Sequence, residues 1–171
     1  MSTVFEICSP VLKDINKDKF KINGLLFIDT PGHAAFLNLR SRGGAVADIA
    51  ILVIDILSGF QPQTHESIKI LKSRKTPFLV AANKIDRIPG WKTLDPGKSF
   101  LASYQKQEKH VKTELNNKIY EIMGDFSDIG FQSNFFHQIS DFTQEVAIVP
   151  TSAVTGEGIP ELMMVLIGLV E

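Results

Sequence analysis

A doubly wound α/β domain with a mostly parallel sheet is the fold that this 171-residue sequence predicts. Short apolar runs recur along the chain, and stretches with helical spacing of apolar residues separate them. The runs are nearly continuous in hydrophobicity instead of alternating, the pattern of strands covered on both faces. Each run also ends in small or polar residues. Ligands of such folds bind beyond the carboxyl ends of the strands, so four polar endings at one sheet edge predict a site.

The opening of the chain reads as an antiparallel pair formed by residues 4–8 and 20–22. The first apolar run is GLLFID at 24–29, and the second is IAILVID at 49–55. Residues 66–74 place Ile68 and Leu71 on one helical face, with Pro77 as a stop. FLVAAN at 78–83 is the third run. A long connection then spans about 91–145. Within it Val111, Leu115, Ile119 and Ile122 recur at helical spacing, and Gly124 is the expected end of that helix. A connection this long needs structure of its own. Its phenylalanines (Phe126, Phe131, Phe135, Phe136 and Phe142) are expected to pack it onto the domain. VAIVPT at 146–151 is the fourth run, and Leu162, Val165, Leu166 and Leu169 form a final helical stripe after Pro160.

The composition, 44% hydrophobic and 22% charged, is that of an ordinary globular domain with one core. A formal net charge of -1 gives no global basic field for nucleic acid. Lys69, Lys72, Arg74 and Lys75 read as a solvated helix face before they read as an RNA patch. With Cys8 as the single cysteine, no disulfide within the chain and no cysteine metal cluster can form, which fits a reducing cytosol. The N-terminal residues lack the pattern of a signal peptide, and the most apolar stretch, 162–170, falls well short of the about 20 residues of a membrane span.

Three strand-end loops carry chemistry. Asp29-Thr30-Pro31-Gly32 offers a carboxylate suited to a hydrated Mg²⁺ and a glycine whose N–H can approach a phosphate. Asn83-Lys84-Ile85-Asp86 offers a carboxylate able to accept from both N1–H and the exocyclic amine of guanine. Adenine presents neither donor there and would leave that carboxylate unpaired. Asn83 can tie adjacent loops together, and the stem of Lys84 can cover the base face. In Thr151-Ser152-Ala153-Val154-Thr155-Gly156, the small Ala153 lets a backbone N–H reach a guanine carbonyl oxygen, and Ser152 can brace Asp86. Each tetrapeptide alone is also an ordinary turn after a strand. In this order, each after an apolar run, they are together a nucleotide site. Asp55 reads as a loop-supporting carboxylate, and His65, His110 and His137 as solvent-facing.

DTPGH, NKID and TSA, in that order, resemble the third, fourth and fifth signature elements of GTPases, and His33 after Gly32 resembles the translational branch. GLLFIDTPGH, NLRSRGG, ADIAILVIDI, GFQPQT, ILKSRKTPF, AANKIDRIPGW and TSAVTGEGIPEL look like the archaeal and eukaryotic initiation factors of the five-B class, relatives of bacterial initiation factor two. The connection after Trp91, with Gln105-Lys106-Gln107, also resembles that branch. The resemblance implies a P-loop GTPase-type fold that binds GTP and GDP with Mg²⁺. By it, Asp29 meets the metal through water, Gly32 senses the γ-phosphate and His33 orients the attacking water. Asn83, Lys84, Asp86, Ser152 and Ala153 read the base. The helix after His33 becomes the second switch, with Gly43-Gly44 giving it mobility. The parent factor promotes ribosomal subunit joining with initiator tRNA in the cytoplasm, without membrane or DNA.

No G-x-x-x-x-G-K-[ST] run occurs in the sequence, so the phosphate loop, its lysine and its Mg²⁺-binding hydroxyl are missing from it. Against the family pattern, the first strand and the first switch are missing as well, and Ala34 stands where a glutamate is usual. Residues 1–171 are therefore expected to be a partial GTPase domain, inactive alone. A non-catalytic scaffold derived from such a domain is the alternative, and a metal hydrolase using Asp29 and His33 a third reading.

Overall fold

The computed structural model describes residues 2–6, 24–28, 48–93, 99–139 and 141–170. Strands β1 (Ser2–Glu6) and β2 (Gly24–Ile28) form an antiparallel ladder in which Val4 faces Leu26. A second sheet holds β3 (Ala50–Asp55), β4 (Phe78–Asn83), β6 (Glu145–Pro150) and β5 (Gln132–Phe135), in that spatial order and all parallel. The helices are α1 (Pro62–Arg74), α2 (Phe100–Gln105), α3 (Lys109–Asp128) and α4 (Ile159–Val170). None of the described helices is long and apolar enough to cross a membrane.

The parallel sheet and its alternating helices match the predicted class, with three corrections. Run 24–29 pairs with residues 2–6 in an antiparallel ladder and does not join the described parallel sheet. The partner expected for the chain opening, 20–22, lies outside the described residues. Nor are β2 and β3 covered on both faces: Leu26 is 62% exposed, Ile28 43% and Val53 61%. Hydrophobicity alone cannot distinguish a side chain that is covered from one that awaits a cover. The third correction is that α3 runs through Gly124 to Asp128. A helical glycine costs only about 1 kcal/mol, and burial of Phe126 two residues beyond outweighs that. Helix α1 also starts earlier than its apolar face suggests, at Pro62, where a proline's missing N–H costs nothing. The Thr64 hydroxyl accepts from the Gln61 N–H at 3.1 Å.

The core is one cluster centred on β4, β6 and α3. Val111, Leu115, Ile119, Ile122 and Phe126 form one buried stripe of α3 and belong to the same cluster as Leu79, Val80, Ile148 and Val149. The aromatics of the long connection join it: Phe126 lies edge-on to Phe60 at 4.8 Å, Phe131 edge-on to Phe78 at 5.5 Å, and Phe136 edge-on to Phe100 at 6.4 Å. Phe142 is the exposed exception. Leu25 and Phe27 of β2 pack against the same cluster.

Candidate functional site at the carboxyl edge of the sheet

Parallel register gathers the polar endings. Asp55 at the end of β3 lies opposite Asn83 at the end of β4, and Ala82 lies opposite Pro150, so residues 151–153 emerge beside 83–86. The loops are then sewn together. The Thr151 N–H donates to the Ala82 carbonyl at 2.8 Å, and the Ile85 N–H to the Thr151 carbonyl at 3.2 Å. Ser152 Oγ donates to Asp86 Oδ1 at 2.5 Å, and the Ala153 N–H to Asn83 Oδ1 at 3.0 Å. Ser152 is fully buried, whereas Asp86 is half-buried and its second carboxylate oxygen has no partner among the described residues.

The structure thus brings Asn83, Lys84, Asp86, Ser152 and Ala153 into one cluster. Asp29, Gly32 and His33 are outside the described residues, as are Cys8 and Gly43-Gly44. His65, His110 and His137 are all exposed. Lys69, Lys72, Arg74 and Lys75 are exposed too, with Lys72 Nζ 5.3 Å above the Phe131 ring.

Asp55 does more than support its own loop. Its Oδ1 accepts from the Leu57 N–H at 3.0 Å, and its Oδ2 meets Lys84 Nζ at 2.6 Å. Burial pushes the Asp55 carboxyl up, but the Lys84 hydrogen bond, the Leu57 N–H and the Lys84 charge together hold it below its ordinary value. Lys84 itself sits in the left-handed region at φ 73°.

Sequence reasoning missed Glu157. Its side chain is completely buried, and its Oε2 accepts from Thr155 Oγ1 at 2.8 Å, Thr93 Oγ1 at 3.2 Å and Trp91 Nε1 at 3.3 Å. Its backbone carbonyl accepts from the Ser152 N–H at 2.9 Å. The available signal was an acidic residue between two glycines in a strand-to-helix loop. Gly156 and Gly158 both adopt positive φ, and a Cβ on Gly158 would lie 2.0 Å from the Pro150 carbonyl oxygen.

Comparison with known proteins agrees with this geometry. The family model described as the elongation factor Tu GTP binding domain matches residues 8–171. A probable translation initiation factor IF-2 from Ignicoccus hospitalis is 58% identical over 166 residues, covering 97% of this chain and 27% of that protein. Its counterpart from Methanopyrus kandleri is 56% identical over 171 residues, covering 100% of this chain and 28% of that protein. The chain therefore spans little more than a quarter of the length of these curated relatives. The crystal structure of GDP-bound aIF5B from Aeropyrum pernix superposes with a TM-score of 0.87 at 50% identity, over 98% of this chain and 29% of that one. The resemblance read from the motifs, to the archaeal initiation factors and to a GTPase-type fold, holds across the chain.

Proposed function

Because the chain belongs to the elongation factor Tu GTP binding domain family, we propose that it is the guanine-nucleotide-binding part of a translation initiation factor. In this reading it binds GTP and GDP and supports GTP hydrolysis. One observation carries it: Ser152 holds one Asp86 oxygen at 2.5 Å and leaves the carboxylate's other oxygen to the base. An oriented carboxylate of this kind accepts from the N1–H and exocyclic amine of guanine and rejects adenine. The Ala153 N–H meets the guanine carbonyl oxygen by sharing its hydrogen with Asn83 Oδ1, a three-centre bond. Lys84, anchored by Asp55, lays its methylenes along the base. Asp29 would hold Mg²⁺ through water, Gly32 would contact the γ-phosphate, and His33 would position the hydrolytic water. Bound Mg²⁺ would supply charge to the phosphates. The larger factor acts in the cytoplasm on the ribosome with initiator tRNA.

Turnover needs a phosphate loop, and the sequence holds no G-x-x-x-x-G-K-[ST] run. The outer edge of β3 has no strand partner among the described residues, and Val53 beside it is exposed. We infer that a strand leading into a phosphate loop, fused or added in trans, completes the sheet there, and that residues 91–145 are an insertion of the initiation-factor branch. The test uses the chain complemented with such a segment. Asp86→Asn is expected to weaken GDP binding by about a hundredfold and to favour xanthosine diphosphate, whose second carbonyl accepts from an amide. Competition titrations with guanine, adenine and xanthine nucleotides decide it. An unchanged GDP preference removes Asp86 from the site.

A further inference from the structure

The loop that ends β6 is tied to residues 91–93 as well as to Asp86. From Asp86 the path runs to Ser152 Oγ, then from the Ser152 N–H to the Glu157 carbonyl at 2.9 Å. From the Glu157 carboxylate it runs to Trp91 and Thr93. The residue between these two is held by the long connection: Gln107 Nε2 donates to the Lys92 carbonyl at 2.7 Å, and the Lys92 N–H donates to Gln107 Oε1 at 2.9 Å. Trp91 in turn stacks parallel to Phe100 at 6.3 Å, and its backbone N–H donates to the Ile88 carbonyl, two residues past the Asn83–Asp86 loop.

This arrangement is not what stability alone would select. Glu157 is completely buried, three donors converge on Oε2, and Oε1 is buried with no partner among the described residues. A buried carboxylate with one orphaned oxygen costs more than an apolar side chain of similar size. What it provides is a fixed relation between two loops, because one oxygen gathers donors from residues 91, 93 and 155.

We propose that Glu157, with Trp91 and Thr93 as its donors, is a positioning residue for the base-reading loop, setting how long a guanine nucleotide stays bound and how strictly its exocyclic amine is read. The inference rests on the guanine-binding reading above. Glu157 acts through Ser152, whose N–H its backbone carbonyl accepts, and Ser152 holds the Asp86 carboxylate. Loosening it therefore acts first on the amine contact made by Asp86.

The complemented chain tests this with GDP and inosine diphosphate, which lacks the amine. Glu157→Gln keeps the shape and removes the charge that strengthens all three bonds. Its GDP dissociation is expected to quicken about tenfold, and the preference for GDP over inosine diphosphate to fall about threefold or more. Thr93→Val removes one exposed donor and is expected to quicken GDP release about threefold with thermal unfolding unchanged. This variant carries the test should Glu157→Gln fail to fold. Trp91 is the sole tryptophan, so its emission is expected to shift on GDP addition and to lose that response in Glu157→Gln. Unchanged release rates, or equal acceleration for both nucleotides, overturn the proposal and leave Glu157 with a packing role. A wild-type chain that binds no GDP refutes the guanine-binding reading itself, and this inference with it.

Discussion

At the carboxyl ends of β4 and β6, each loop is bonded to its neighbour: Ala82 to Thr151, Asn83 to Ala153, Asp86 to Ser152, and Ser152 to Glu157. Across the fold, β3 has no outer partner among the described residues, and β2 leaves Leu26 and Ile28 exposed. The same register rule governs both regions, yet only one is closed. In the proposed function, base recognition uses two adjacent parallel strands and the loops they end in. Phosphate chemistry there would draw on residues around 30 and on a strand added beside β3, so it would depend on more of the molecule than base reading does.

The largest effect is expected where the open side is completed. Adding a phosphate-loop segment should raise Mg²⁺-dependent GTP turnover from background by at least about a thousandfold, since several preorganised charge contacts arrive together. It should also turn a marginal, aggregation-prone chain into one that unfolds cooperatively, because unpaired apolar edges invite association. Turnover assays and thermal scans, with and without the segment, measure both. A monodisperse chain that alone binds GTP at micromolar level would erase the contrast between the two sides.

Next in size is His33→Ala in the complemented chain. Ribosome-stimulated hydrolysis should drop about a hundredfold or more while GTP affinity stays nearly constant, because water positioning matters only on the way to the transition state. Matched losses of affinity and rate would make His33 structural.

The closed side breaks at Gly158→Ala. A Cβ there meets the Pro150 carbonyl oxygen at 2.0 Å, and φ is +78°. A stability loss of about 2–4 kcal/mol is expected, read by denaturant titration. A loss below about 0.5 kcal/mol would mean the loop has room to shift and is not the rigid partner of this comparison.

The smallest effect belongs to Asp55→Asn. With its carboxyl held below the ordinary 3.8, Asp55 contributes stability above its unfolded pKa and loses it as pH falls through the lower folded value. Both partners are partly exposed, so the contribution near neutrality is under about 1 kcal/mol. Wild type and variant should differ slightly at about pH 7 and converge in strong acid. A gap that persists in acid would point to packing in place of charge.

The strands and loops of the closed side were legible in the sequence because their determinants are local. Residues 78–83 and their polar ending read as a strand and a loop, and the structure has β4 over the same span. Its partner β6 is displaced by one residue, to Glu145–Pro150. The open side was misread for the opposite reason. Leu26 and Val53 look like core residues in a one-dimensional pattern, and only neighbours distant in sequence decide whether they are covered. Glu157 escaped notice because its partners, Trp91 and Thr93, lie more than 60 residues away and no periodicity marks them. Gly124 was over-read as a helix end, since the burial of Phe126 beyond it outranks local propensity.

Lys84 holds a left-handed backbone at φ 73°, a conformation that a residue with a Cβ adopts at a penalty of roughly 1–2 kcal/mol. Glycine would sit there unstrained. Substitution by glycine would thus make the folded chain sturdier while removing the ammonium that Asp55 holds and the methylenes that would shield the base. The loop is a small case of a trade between durability and use: a screen that selects only for heat resistance would drift toward glycine at this position, and a screen for nucleotide retention would drift back to lysine.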